Sequence, residues 1–156
     1  MELHLFDHTG ELVRAMGPIQ GQDLKYRAYR RGLKVWFGSA KPNRLHYEAQ
    51  LIPERFVTGH DLGPDEVALE VGFHAEHGDD RHNRAVLDQL RQFEPTWRKA
   101  LGEEAEAGAF LGNDQWSRLS EIWVEGDLDD PELAFELASR LVDYIETVEP
   151  LLAQTD

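Results

Sequence analysis

Residues 44–52 read RLHYEAQLI and residues 66–76 read EVALEVGFHAE. Both alternate with a period of two. Leu45, Tyr47, Ala49 and Leu51 stand against Arg44, His46, Glu48 and Gln50, and Val67, Leu69, Val71 and Phe73 stand against Glu66, Glu70, His74 and Glu76. That period belongs to a strand, whose successive side chains point to opposite faces. A sheet with one apolar and one wetter face is typical of antiparallel meanders.

Upstream, Leu24–Arg30 alternates as well, and Arg31-Gly32 reads as a tight turn into Leu33–Gly38, with Gly32 accepting positive φ at no steric cost. Ser39–Asn43 is a loop. Leu3–Phe6 reads as a short strand and Asp7-His8-Thr9-Gly10 as a turn. Glu11–Met16 fits a second hairpin strand or one helical turn, ended by Gly17-Pro18, and residues 11–23 have no firm assignment.

Downstream the pattern turns helical. Gly78-Asp79-Asp80 supplies a cap and negative charge at a helix start. Val86, Leu90, Phe93, Trp97 and Leu101 then form one stripe. Pro95 predicts a kink or the start of a second helix, and Gly102 a C-terminal cap. Residues 103–116 carry no clear period. Arg118–Glu125 is apolar on both faces, as an interior strand is. Asp130-Pro131 opens a last helix to about Ala153, with Ala134, Leu137, Leu141, Tyr144, Val148 and Leu151 as its stripe and Pro150 bending its final turn. This order predicts one α+β domain over residues 1–156, strand-rich in 1–76 and helix-rich in 77–156. Its layers are a twisted, mostly antiparallel sheet and two long helices of the C-terminal half packed on one face. If the strand–helix–strand unit from Glu66 to Glu125 is a right-handed crossover, part of the sheet is parallel.

The 156 residues contain no cysteine, which excludes disulfides, a thiol nucleophile and cysteine-ligated metal. Apolar runs fall far short of a membrane span, and Met1-Glu2-Leu3-His4 does not start a signal peptide, so the expected location is cytoplasmic. The net charge of -14 is unevenly spread. Residues 1–60 hold nine Lys/Arg against six Asp/Glu, whereas residues 61–156 hold seven against twenty-four. Such a surface repels phosphate backbones and disfavours generic nucleic-acid binding.

Four features are candidate sites. On the polar sheet face, strand parity groups Lys34 and Trp36 with His46, Glu48 and Gln50, and with Glu70 and His74. Carboxylate beside imidazole can position a general base or hold a metal, with Trp36 as an apolar wall; the plain alternative is a solvated face of mixed charge. His74, Glu76 and His77 offer metal-ligand chemistry without a known spacing, and the HExxH pattern is absent. A strand end before a capped helix is the better explanation of them, so no cofactor is expected. The basic hairpin of Lys25, Arg27, Arg30, Arg31 and Lys34, interleaved with Tyr26, Tyr29 and Trp36, reads first as a solvated hairpin with intramolecular partners, and otherwise could meet a protein, an anion or single-stranded nucleic acid. The last helix could pack on the sheet or form a dimer seam. GxSxG, Walker and GxGxxG motifs are all missing.

Residues 66–152 resemble an uncharacterised bacterial domain found beside restriction-endonuclease-like and other defence proteins. The likeness is carried by the strand Ala68–Phe73, by Asn83-Arg84-Ala85-Val86-Leu87-Asp88-Gln89-Leu90, by Trp97-Arg98-Lys99-Ala100-Leu101-Gly102-Glu103, by Trp116-Ser117-Arg118-Leu119 and by the closing helix. It implies an α+β fold and a defence context, with no assigned catalytic residue. Glu48-Ala49-Gln50 has the spacing of a nuclease motif without its lysine. The leading expectation is a non-enzymatic interaction or regulatory module that engages a protein partner or a second copy of itself. The alternatives are a small metal-assisted hydrolase or nuclease-like enzyme built on His46, Glu48, Glu70 and His74, and an acidic mimic of nucleic acid.

Overall fold

The computed structural model describes residues 2–17, 23–57, 59, 61–110 and 113–154. Among these residues six strands form one antiparallel sheet: β1 (Leu24–Tyr29), β2 (Gly32–Phe37), β3 (Leu45–Ile52), β4 (Val67–Ala75), β5 (Glu106–Phe110) and β6 (Asn113–Glu125), in the spatial order β1-β2-β3-β4-β6-β5. Among the described residues four α-helices accompany it: α1 (Glu2–Met16), α2 (Asp80–Gln92), α3 (Glu94–Leu101) and α4 (Pro131–Leu152). The α+β expectation holds, with α4 on the sheet.

The predicted parity is correct. Leu33, Val35, Tyr47, Ala49, Leu69, Val71, Phe73 and Leu119 join the α4 stripe, Ala134 to Leu151, in one core. Each fully buried Leu, Ile or Phe there contributes about 1.5–3 kcal/mol. The stripe is therefore covered by its own chain and offers no dimer seam. Asp79 and Asp130 cap α2 and α4 through their side chains, and Pro95 sits in the first turn of α3. Pro150 lies inside α4, which runs on to Leu152.

Three expectations fail. Residues 2–16 are one helix, not a hairpin, packed on α4 and β1. The Asp7-His8-Thr9-Gly10 signal misleads because Thr9 turns its hydroxyl back to the Leu5 carbonyl at 2.7 Å and Gly10 faces the Tyr26 ring. A Cβ on Gly10 would lie 2.4 Å from Tyr26 Cδ1, so the glycine makes room for a ring. Pro18, and the rest of the proposed break after Gly17, lie outside the described residues. Second, no described strand pair is parallel. The chain leaving β4 passes through α2 and α3 to the edge strand β5, and β6 then returns by a hairpin into the space between them. Third, Gly32 does not adopt positive φ. The tight turn is Arg30-Arg31, and Gly32 supplies space instead: a Cβ there would lie 2.8 Å from the Ala49 carbonyl and 3.0 Å from the Tyr29 hydroxyl.

Candidate metal centre

The polar sheet face is not solvated. His46, Glu48, Glu70 and His74 are buried, although the α4 stripe packs on the opposite face. The sheet curls over its own face instead. Gly72, between Glu70 and His74, has φ of 153°, and a Cβ there would lie 2.5 Å from the Leu119 carbonyl oxygen and 2.6 Å from Ser120 Cα. The missing side chain lets β6 close onto β4. At the far edge a register shift at Ala109/Phe110 turns Phe110 inward, where its ring meets His74 edge-on at 4.6 Å and Trp116 at 5.6 Å. From the near edge, Tyr29 passes over Gly32 and donates its hydroxyl to Glu48 Oε2.

At the bottom of this cup four side chains converge. His46 and His74 are register partners, Glu48 follows two residues after His46, and Glu76 follows two after His74, just past the strand end. One donor atom from each lies within 4.8 Å of the others. His46 Nε2 is 3.0 Å from Glu48 Oε1 and 3.5 Å from Glu76 Oε2; His74 Nδ1 is 3.1 Å from each of those oxygens. Donors bound at about 2.1 Å around one ion stand roughly 3.0–3.4 Å apart along the edges of an octahedron or tetrahedron.

The outward ring nitrogens fix the tautomers. His46 Nδ1 is 2.9 Å from the Asn43 backbone oxygen, and His74 Nε2 is 2.7 Å from Glu70 Oε2. Both oxygens can only accept, so these nitrogens carry protons. The inward nitrogens, His46 Nε2 and His74 Nδ1, then face carboxylate oxygens. That contact is repulsive unless each nitrogen bears a second proton or all four atoms share a cation. Glu70 also accepts from Gln50 Nε2 at 2.8 Å and is itself fully buried. An imidazole whose far N–H is held by a carboxylate or a carbonyl is the usual outer shell of a metal-bound histidine.

Protonation in the ion-free cluster follows from these contacts. Burial is the largest influence on both imidazoles and lowers their pKa. For His74 the Glu70 charge and the bonds to Glu48, Glu70 and Glu76 outweigh it, leaving the pKa well above 6.5; the bonds to Glu48 and Glu76 likewise leave His46 raised. Burial would raise the carboxylates, yet the two histidines hold Glu76 down to about 2 and Glu48 lower still, while the His74 charge leads in lowering Glu70. Burial, then the charge of Glu48, raises Tyr29 and keeps its phenol a donor. Two protons and one divalent cation carry the same charge, so exchanging them leaves the cluster's balance against its three carboxylates unchanged.

Above the cluster a pocket of ≈ 510 Å³ opens, with Glu48, Gln50 and Glu76 below, Tyr29, Phe110 and Trp116 as walls, and Arg27 and Lys34 at one side. The structure thus brings together His46, Glu48, Glu70 and His74 as the sheet-face reading grouped them, and adds Glu76 from the separate metal reading. His77 is excluded: its ring lies against His82 at 5.0 Å. Of the hairpin residues, Arg27 and Lys34 reach the pocket, Lys25 pairs with Asp23 at 3.2 Å, and Arg30 and Arg31 are exposed at the turn. Trp36 is buried, donating to the Ser39 carbonyl at 2.8 Å, and forms no pocket wall. Sequence reasoning gave no role in the site to Asn43, Phe110 or Trp116. No local signal marks them: residues 103–116 carry no clear period, and Asn43 sits in a loop. No family model matches the chain, and no similar curated protein or solved structure was found. No described helix is long and apolar enough to cross a membrane.

Proposed function

We propose that this protein holds a divalent first-row transition-metal ion on His46, Glu48, His74 and Glu76 and presents it to a small molecule in the pocket above. The observation that carries this is the pair of imidazoles whose outward N–H groups are already engaged while their inward nitrogens meet two carboxylates at 3.0–3.5 Å. Two nitrogens and two carboxylate oxygens, without sulfur, suit zinc, iron(II), manganese(II) or nickel(II). Such an ion supplies Lewis acidity and lowers the pKa of a bound water, which is what a metal-assisted hydrolase needs. All four donors rise from the sheet, so the opposite side of the ion faces the pocket. The interaction-module and nucleic-acid-mimic readings rest on charge alone, and the geometry favours the metal centre over both.

The test is titration of chelator-stripped protein with Zn2+, Mn2+, Fe2+ and Ni2+, followed by calorimetry and metal analysis. One ion per chain is expected. Glu76→Gln, at the most accessible of the four ligands, should weaken binding by at least tenfold while the protein stays folded. Failure of all four ions to bind at millimolar concentration would overturn the proposal.

A further inference from the structure

Resting on that metal-centre reading, we infer that the pocket takes a small aryl-bearing anion, a carboxylate or a phosphate ester. The anionic group lies between Arg27 and Lys34, and the ring lies against Phe110 and Trp116. The register places Arg27, Lys34 and Glu48 side by side in one row across three strands, on the face of the metal cluster. Arg27 and Lys34 are therefore like charges directly opposite each other, an arrangement that destabilises a sheet unless something negative bridges them.

Nothing among the described residues does so. Among the described residues neither Arg27 nor Lys34 has an ion pair or side-chain hydrogen bond, in a chain with 30 carboxylates. The nearest candidate in the row, Glu48, is committed elsewhere: one oxygen faces His46 and His74 and the other accepts from Tyr29. Two cations are thus left facing a pocket of ≈ 510 Å³, within the usual size of small-molecule sites. The aromatic side of the same pocket is built rather than incidental, because Phe110 is brought there by the register shift and braced by Trp116 and His74. Cation on one side and aromatic ring on the other define a ligand with one charged end and one flat apolar body.

The experiment uses full-length protein loaded with the ion that binds best. Tryptophan fluorescence and calorimetry follow titration with phenylacetate and with phenyl phosphate, and phenylacetamide serves as the neutral control. At least one of the two anions should bind saturably and at least tenfold more tightly than phenylacetamide. The winning arm identifies the carboxylate or the phosphate as the natural group. Arg27→Gln/Lys34→Gln should weaken the anion at least tenfold while holding the ion at least as tightly as the parent. Arg30→Gln/Arg31→Gln, which removes two charges from the same hairpin outside the pocket, should bind the anion as the parent does. Ion-loaded protein that binds neither anion, or binds phenylacetamide equally well, overturns this inference and leaves the metal centre standing. Equal weakening by both double variants also overturns it, because general charge would then be the cause. A protein that binds no ion overturns the metal-centre reading instead.

Discussion

Glu70→Gln keeps the side chain's shape and removes only its charge. In the parent, Glu70 Oε2 accepts from His74 Nε2–H at 2.7 Å and Oε1 accepts from Gln50 at 2.8 Å, with Glu70 and His74 fully buried. The new amide oxygen can still accept from His74. Gln50 can turn its own amide to receive the new N–H. What is lost is the difference between a hydrogen bond to a charged acceptor, about 1.5–3 kcal/mol, and one to a neutral acceptor, about 0.5–1.5 kcal/mol. A loss of about 1–1.5 kcal/mol corresponds to roughly 5- to 15-fold in ion affinity. That overlaps the lower end of the 10–100-fold typical of outer-shell substitutions. A competition titration against a chromophoric chelator at fixed pH measures it, with circular dichroism to verify the fold. Glu70→Gln binding the ion as tightly as the parent would refute the reasoning, because His74 would then owe neither its tautomer nor its basicity to Glu70.

Other outcomes follow from the same contacts. Gly72→Ala drives a Cβ to within 2.6 Å of two backbone atoms of β6 and should lower unfolding free energy by about 3 kcal/mol or more, read from the urea midpoint; a midpoint within error of the parent would mean the sheet's closure does not depend on this glycine. Glu121→Ala strips a carboxylate that accepts from Arg140, Tyr144 and Trp123, at 2.8, 2.7 and 2.7 Å, and should cost about 2–4 kcal/mol in chemical denaturation. In ion-free protein the raised imidazoles contribute stability that is complete below pH 6.5 and is lost as pH rises through their folded values; the lowered carboxylates contribute stability that is complete above pH 4.5 and is lost as pH falls toward about 2. Thermal midpoints of the stripped protein should therefore be highest in mildly acidic solution and fall on the alkaline side, and saturating Zn2+ should suppress the alkaline fall. An unchanged alkaline fall with the ion present would count against shared donors.

Much of the frame was legible because it rests on local rules. Period two fixed the faces of β3 and β4, Asp79 and Asp130-Pro131 marked two helix starts, and Pro95 separated α2 from α3. The N-terminal helix escaped because Gly10 and Thr9 carry turn chemistry, and only the Tyr26 ring, on another element, explains the glycine. Parity correctly put His46, Glu48, Glu70 and His74 on one face, but it is silent on whether that face is open. The cup depends on contacts between distant segments: Gly72 against β6, Tyr29 over Gly32, Phe110 over His74. The alternation put Glu76 on that face too, but the metal reading grouped it with His77 and not with His46; the backbone stays in phase one residue past β4, held by the Glu76 N–H donating to the Arg44 carbonyl, and so carries Glu76 to His46.

The four donors belong to a single ladder, β3 with β4, whose connection spans residues 53–66. A short hairpin turn dictates which residues pair; a connector of that length does not. Slipping β4 by one position would swing His74 and Glu76 to the helical side and leave His46 and Glu48 without partners. A cation captured there would therefore act as a clasp that rewards one alignment of the two central strands and penalises every slipped neighbour, a kind of proofreading in the middle of the molecule.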